Sequence, residues 1–142
     1  ENDGTGKFTD VGDKAGVRGN DGYGVAWVDY DNDGDLDLSN SGTLMRNSGN
    51  NNAWVKVKAV GDGRSNSAAI GARITVTAGN KQLVREVQAG NSGNQNPLVA
   101  HFGLGEHDGP VEVQVRFPLG KVVKQTADSR TTIVVRESTP QP

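Results

Sequence analysis

Five aspartates occupy alternate positions in a nine-residue stretch, and this stretch constrains the fold more than any other part of the chain. They are Asp29, Asp31, Asp33, Asp35 and Asp37. Two carboxylates about 4 Å apart repel each other by roughly 1 kcal/mol even in bulk water, so such a stretch is unfavourable as an ordinary solvated turn. A bound hard cation removes the repulsion, and the pattern therefore predicts a metal-binding loop.

The spacing matches the ligand positions of a calcium loop, in which positions 1, 3 and 5 precede a glycine at 6 and a main-chain carbonyl at 7. With Asp29 at position 1, Gly34 is the glycine, Asp35 supplies the carbonyl and Asp37 is position 9. Position 12 is Asn40 and not the glutamate of an EF-hand, so we expect strand, loop, strand. Crowded oxygen ligands favour Ca²⁺ over zinc, copper or magnesium.

Composition favours an all-β protein without a nucleic-acid partner. Hydrophobic residues make up 33% of the chain and 20 residues are glycine, which fits short strands joined by many turns. The net charge of −2 and the pI near 5.6 provide no basic surface for nucleic acid. No apolar run is long enough to cross a bilayer, so we expect no membrane span.

The expected location of the protein follows from the cation. The chain has no cysteine and therefore no disulfides, and calcium can brace an exported protein in their place. Because the start at Glu1 shows no signal-peptide pattern, we expect an intracellular or an already processed chain. A weakly binding calcium module is useful where calcium is abundant, which favours an extracellular or cell-surface location.

The chain divides into two parts of different composition. Residues 1–50 are rich in Gly, Asn and Asp and contain the aspartate loop, whereas residues 51–142 show period-two alternation between turn signals. We expect seven strands in the second part: Trp54–Val60, Ile70–Ala78, Lys81–Ala89, Leu98–Leu104, Val111–Phe117, Val122–Thr126 and Thr131–Arg136. This count predicts a β-sandwich with immunoglobulin-like or jelly-roll connectivity.

The first part needs a surface on which to bury its apolar side chains. An isolated hairpin cannot bury Phe8, Val25, Trp27 and Leu38 at once. We therefore expect the N-terminal calcium-binding hairpin to dock on the sandwich through Phe8, Val25, Trp27 and Val28.

Two segments of the first part resemble the FG-GAP/VCBS repeat. The segment Gly4–Val11 looks like the entry of the repeat, and Ala26–Leu38 looks like its calcium hairpin. A single repeat cannot close a propeller, because each blade buries its faces against neighbouring blades.

Three segments of the second part resemble the ASPIC/UnbV family. They are Ser65–Arg73, His101–Gly105 and Val113–Gly120, although Phe117 stands where the family usually has tryptophan. The resemblance implies an end domain of secreted proteins that carry FG-GAP or VCBS propeller repeats.

The leading functional hypothesis is a calcium-stabilised, non-enzymatic module for adhesion, carbohydrate contact or structural capping of a larger protein. Its partner would be a carbohydrate or an extracellular protein. A polar loop containing Asn91, Asn94, Gln95 and Asn96 could contact a sugar, but it offers no aromatic platform, and aromatic residues are only 5% of the chain.

The alternative is a glycosidase or esterase. It would use His101 or His107 with Glu106, Asp108 or Glu112, and it requires two of these groups to converge on one cleft. Each of these residues also has a structural interpretation, as a packed histidine or as part of a turn.

Overall fold

The computed structural model describes residues 1–17, 24–40, 42–90 and 95–138, which form strands and loops apart from one helical turn. The elements are α1 (Gly12–Ala15), β1 (Val25–Val28), β2 (Asp37–Asn40), β3 (Thr43–Met45), β4 (Ala53–Val60), β5 (Arg73–Ala78), β6 (Lys81–Glu86), β7 (Val99–Gly105), β8 (Val111–Arg116), β9 (Val122–Ala127) and β10 (Thr131–Arg136). Within these ranges no helix has the length and apolar character needed to cross a membrane.

The strands form three sheets, two of which make the predicted β-sandwich. One is three-stranded in the order β10-β4-β7, with β10 parallel and β7 antiparallel to β4. The other is four-stranded and antiparallel in the order β6-β5-β8-β9. The third sheet is the antiparallel meander β1-β2-β3. The prediction of an all-β sandwich is confirmed.

Alternating side chains explain how the sandwich builds its core. On β8, Val111, Val113 and Val115 are buried while Glu112 and Arg116 are exposed. The same alternation on β4 buries one row of side chains inside the sandwich, and the inner faces of both sheets contribute to a single hydrophobic cluster. Burial of apolar surface in this cluster is the main stabilising contribution to the fold.

The seven predicted strands of the second part all occur, and their pairing gives the connectivity that the sequence left open. In the constant-type immunoglobulin fold the first two strands share a sheet, whereas here β4 pairs with β7 and β10, and β5 lies in the other sheet. A jelly roll has eight strands, and the described part of the sandwich has seven. The described strands thus give the predicted β-sandwich a pairing order of its own, β10-β4-β7 facing β6-β5-β8-β9.

The predicted docking residues of the first part are also wrong. Phe8 is 77% exposed, Trp27 is 57% exposed and Val25 is 44% exposed, while Val28 is only half-buried. The N-terminal part contacts the sandwich instead through the loop between β1 and β2. This loop lies on the outer face of the three-stranded sheet, against Trp54 and Lys56 of β4.

We predict that truncation of Phe117 unfolds the sandwich much more readily than truncation of its near neighbour Leu119. Phe117 is fully buried, so Phe117→Ala should lower the free energy of unfolding by about 3–5 kcal/mol. Leu119 is 63% exposed, and Leu119→Ala should change it by less than about 0.5 kcal/mol. Urea unfolding measures both, and equal losses would contradict the position of the core.

Candidate metal centre

The aspartate loop begins and ends at adjacent positions of an antiparallel strand pair. Val28 at the end of β1 pairs with Asp37 at the start of β2, so Asp29 follows directly from one strand while Asp37 opens the other. Between them the chain turns sharply, with positive φ at Asn32 (61°) and at Gly34 (98°). Asparagine and glycine are the residues that adopt this conformation most readily, which is why the loop can form here.

Short-range hydrogen bonds fix the inner turns of the loop. The N–H of Asp33 donates to Asp31 Oδ1 at 3.3 Å, and the N–H of Asp35 donates to Asp33 Oδ1 at 3.0 Å. Aspartates form such turns because the short carboxylate reaches the main chain two residues ahead. The alternation of aspartates thus serves the backbone conformation as well as the charge of the loop.

Three of the five predicted ligands come together. Asp29, Asp31 and Asp37 each offer a carboxylate oxygen, and these atoms lie within 4.8 Å of one another. Asp37 is fully buried and accepts hydrogen bonds from the N–H groups of Tyr30 (3.1 Å) and Asn47 (2.8 Å). This arrangement has the donor set of a site for a hard cation.

Asp29 provides the test of whether a cation fits this cluster. Its side chain is 3% exposed, and its Oδ2 accepts the N–H of Gly34 at 3.0 Å and pairs with the ammonium of Lys56. Its Oδ1 is buried and has no hydrogen-bond partner among the described residues. An unpartnered buried carboxylate oxygen is unfavourable. A cation bound beside Asp31 and Asp37 would satisfy it.

The other two predicted ligands have their carboxylates outside this cluster of three. Asp33 lies at the surface, where its Oδ2 accepts a hydrogen bond from Arg46 at 3.3 Å. The pKa of the Asp33 carboxyl lies below its usual value because the N–H of Asp35 donates to it and because Arg46 is adjacent. The Asp35 side chain lies beside Gly49, where an added Cβ atom would meet Asp35 Oδ2.

Two cationic side chains offset part of the charge of the loop. Arg46 Nε lies 2.7 Å from Asp31 Oδ2 on the exposed side, and Lys56 reaches the buried side. Five carboxylates against two cations leave an excess of three negative charges on the loop. This excess favours binding of a divalent cation.

The sandwich provides a contact surface for the loop, and the sequence did not predict this surface. His101 Nε2 lies 2.7 Å from the carbonyl oxygen of Gly34, and the His101 ring stacks on Trp54 with centroids 6.3 Å apart. Gly34 lies so close to Trp54 that an added Cβ atom would overlap the indole nitrogen. Lys56 lies 5.0 Å from the centroid of the same indole. The sequence singles out His101 but not its contact with the loop, because alternation on β4 and β7 indicates only that these side chains point outward.

The two histidines of the alternative hydrolase lie in different places: His101 lines a cleft beside the aspartate loop, whereas His107 lines a second cleft together with Glu106. His101 faces the Gly34 carbonyl, and His107 Nε2 lies 3.2 Å from the carbonyl oxygen of Pro110. No described hydrogen bond or ion pair joins either histidine to Glu106, Asp108 or Glu112.

The carboxylates of that alternative have partners of their own. Asp108 accepts a hydrogen bond from the Ser129 hydroxyl at 2.6 Å and forms an ion pair with Arg130. The hydrogen bond from Ser129 lowers the pKa of the Asp108 carboxyl most, and the contact with Arg130 lowers it further. Glu112 lies 3.6 Å from Lys124 at the exposed surface. The lowered pKa makes the Asp108 carboxyl poorly suited to act as a general acid near neutral pH.

The segment Ser65–Arg73 has a structural role. The N–H and the hydroxyl of Ser65 donate to the buried carboxylate of Glu137 at 3.0 and 2.8 Å. The side-chain amide of Asn66 accepts from the N–H of Ile70 at 2.8 Å and donates to its carbonyl oxygen at 2.9 Å. The Ser65 bonds tie the connection between β4 and β5 to the end of β10, and the Asn66 bonds close a turn within that connection.

We predict that Gly34→Ala separates the loop from the sandwich, because the new methyl group overlaps Trp54. The matched control is Gly63→Ala, which has a similar φ of 105° but no atom within 4 Å of the added Cβ. The control should lose only about 1 kcal/mol through backbone strain, and Gly34→Ala should lose about 1–3 kcal/mol more. Chemical denaturation measures both losses.

A second pair of variants separates the effect of the methyl–indole overlap from the effect of backbone strain. In a Trp54→Ala background, Gly34→Ala should lower the free energy of unfolding by little more than Gly63→Ala does, because the indole is gone. An undiminished loss would show that Gly34 does not pack on Trp54.

Comparison with known proteins covers the second part of the chain. No curated protein matches the chain. The profile of the family described as ASPIC and UnbV matches residues 61–141, which is more than half of the chain. The match includes all three segments whose resemblance to that family was noted in the sequence. The chain therefore belongs to the ASPIC and UnbV family.

Proposed function

We propose that this protein is a calcium-stabilised, non-enzymatic β-module of an extracellular protein, in which the cation fixes an FG-GAP/VCBS-like segment (residues 1–50) to the sandwich. One observation carries the proposal. The buried Asp29 Oδ1 has no partner although it lies in a cluster with the carboxylates of Asp31 and Asp37. A native structure normally satisfies such an atom, and a cation is the ligand that suits three carboxylates.

Calcium is the cation that this donor set favours. The cluster contains only oxygen donors, whereas zinc and copper prefer nitrogen or sulfur. The carboxylates sit on a turn with two left-handed residues, and calcium accepts the irregular coordination that such a loop offers, whereas magnesium requires near-octahedral geometry. The proposed ligands are the clustered carboxylates of Asp29, Asp31 and Asp37 and the main-chain oxygen of Asp35. Asp33 would join them by turning its carboxylate from Arg46 toward the ion.

The proposed role of the cation is structural. It would hold the loop in the conformation in which Gly34 contacts Trp54 and Asp29 contacts Lys56, so that the two parts of the chain form one unit. Such bracing is useful where calcium is abundant, which supports the extracellular assignment. A module of this kind would serve in adhesion, in carbohydrate contact or as a structural cap of a larger protein.

Calorimetric titration of chelator-treated protein with Ca²⁺ tests the proposal. Asp31→Asn should weaken binding by at least about tenfold, because a carboxylate of the cluster is lost. The matched control is Asp128→Asn, which removes the same charge from an exposed residue outside the cluster. Asp35→Asn keeps the main-chain oxygen and should bind more tightly than Asp31→Asn.

The magnitude for the wild type follows from mass action. At a calcium concentration a hundredfold above Kd, the free energy of unfolding should rise by about 2.7 kcal/mol. A wild-type protein that releases no heat with Ca²⁺, or an Asp31→Asn variant with the affinity of Asp128→Asn, would contradict the proposal.

A further inference from the structure

A cleft of about 510 Å³ lies between the N-terminal sheet and the sandwich, next to the aspartate loop. Lys56, His101 and Thr132 line it from the outer face of the three-stranded sheet, where they are cross-strand neighbours. Val25 and Trp27 line it from β1, an edge strand of its sheet. Its volume falls within the range of about 300–1,000 Å³ that is typical of small-ligand sites.

Trp27 gives this cleft an aromatic surface that is open to solvent. The side chain is 57% exposed although indole is one of the largest apolar groups in a protein. The sandwich leaves this surface uncovered, since the loop and not β1 makes the closest contacts with β4. An exposed indole beside polar groups favours a ligand that has both an apolar face and hydrogen-bonding edges.

Amide side chains line the cleft with Trp27. They are Asn32 from the loop, Gln88 from the segment after β6, and Asn96 from the segment before β7. Asn96 Nδ2 donates to Gln88 Oε1 at 3.4 Å, and Asn32 Oδ1 accepts from Lys56 Nζ at 3.2 Å. Within the described ranges these bonds leave Asn96 Oδ1, Gln88 Nε2 and Asn32 Nδ2 without a protein partner. An amide offers donors and an acceptor, which matches hydroxyl groups that act as both.

The charged residues that line the cleft are equal in number and opposite in sign. Asp29 and Glu86 are acidic, and Lys56 and Arg85 are basic. A strongly charged ligand would therefore find no excess of opposite charge. A purely apolar ligand would leave the amide groups buried without partners, which is unfavourable.

We propose that this cleft binds a neutral saccharide of about two or three sugar units, whose apolar ring face stacks on Trp27 while its hydroxyls pair with Asn32, Gln88 and Asn96. The inference deepens the proposed function and rests on it in one respect: the cation holds the loop that carries Asn32. Trp27 supplies the aromatic platform that the polar loop containing Asn91, Asn94, Gln95 and Asn96 lacks. Of that loop, Asn91 and Asn94 lie outside the described residues, Gln95 is exposed, and Asn96 lines the cleft.

Titration calorimetry of the calcium-loaded chain with a panel of neutral trisaccharides tests the inference. The panel contains trimers of glucose, mannose, galactose, xylose and N-acetylglucosamine, with trigalacturonate as the charged comparison. We expect at least one neutral trimer to bind, and trigalacturonate to bind more weakly. Trp27→Ala should weaken binding by about tenfold or more, and Trp27→Phe should restore part of it.

The matched control is Phe8→Ala, which removes another exposed aromatic ring that does not line the cleft. It should leave the affinity unchanged. Because Trp27 is largely exposed, the Trp27→Ala variant should have the melting temperature of the wild type. Asn96→Ala is a second variant, on a different wall of the cleft, and it should also weaken binding. Failure of every neutral trimer to bind, or equal losses in Trp27→Ala and Phe8→Ala, would overturn the inference.

The same experiment separates this inference from the proposed function. Calcium titration of the same samples shows whether the cation binds, independently of any sugar. If calcium binds and no trimer does, the saccharide site is wrong and the metal site stands. If a trimer binds through Trp27 while calcium does not bind, the metal site is wrong and the cleft stands.

Discussion

The buried contact between Asp29 and Lys56 is the interaction on which the arrangement of the two parts depends. Removing two charges from water costs several kcal/mol for each ion, and the loss is recovered only when the pair has further hydrogen bonds. Lys56 donates a hydrogen bond to Asn32 Oδ1 and also lies over the face of the Trp54 ring. Asp29 has a further hydrogen bond at one oxygen only. The Lys56 ammonium, on the side of the sandwich, thus has its contacts, whereas Asp29 Oδ1, on the side of the aspartate cluster, lacks a partner in the described part of the chain.

That asymmetry explains why a fifty-residue segment of low apolar content can lie on a sandwich that already has its own core. The contact does not use a large apolar interface, since the described aromatic side chains of the segment, Phe8, Trp27 and Tyr30, are exposed. It uses one glycine against an indole, one carbonyl against a histidine and one ion pair. A small polar contact of this kind depends on a fixed loop conformation, and in our proposal the cation fixes it.

The sequence was sufficient for the strands and insufficient for the contacts between the two parts. The strand Thr131–Arg136 has the predicted bounds, and the others agree to within a few residues, because period-two alternation reports directly which face is buried. The ASPIC/UnbV assignment of the second part is confirmed by the family match.

The errors have a common physical cause, because periodicity says nothing about what covers an outward-facing residue. Lys56 follows the polar phase of β4 and is nevertheless buried, since the loop lies over it. Trp27 has the large apolar side chain expected of a docking residue, and it is nevertheless exposed in the cleft. Both positions depend on tertiary contacts between residues more than twenty positions apart.

Differential scanning calorimetry of the intact chain, with calcium and with chelator, tests the central claim most directly. If the cation fixes the loop and the loop holds the two parts together through the contact between Asp29 and Lys56, the chain should unfold in one transition. That transition should move as a whole to higher temperature with calcium. Two transitions, of which only one responds to calcium, would show that the N-terminal segment and the sandwich are independent and that the account is wrong.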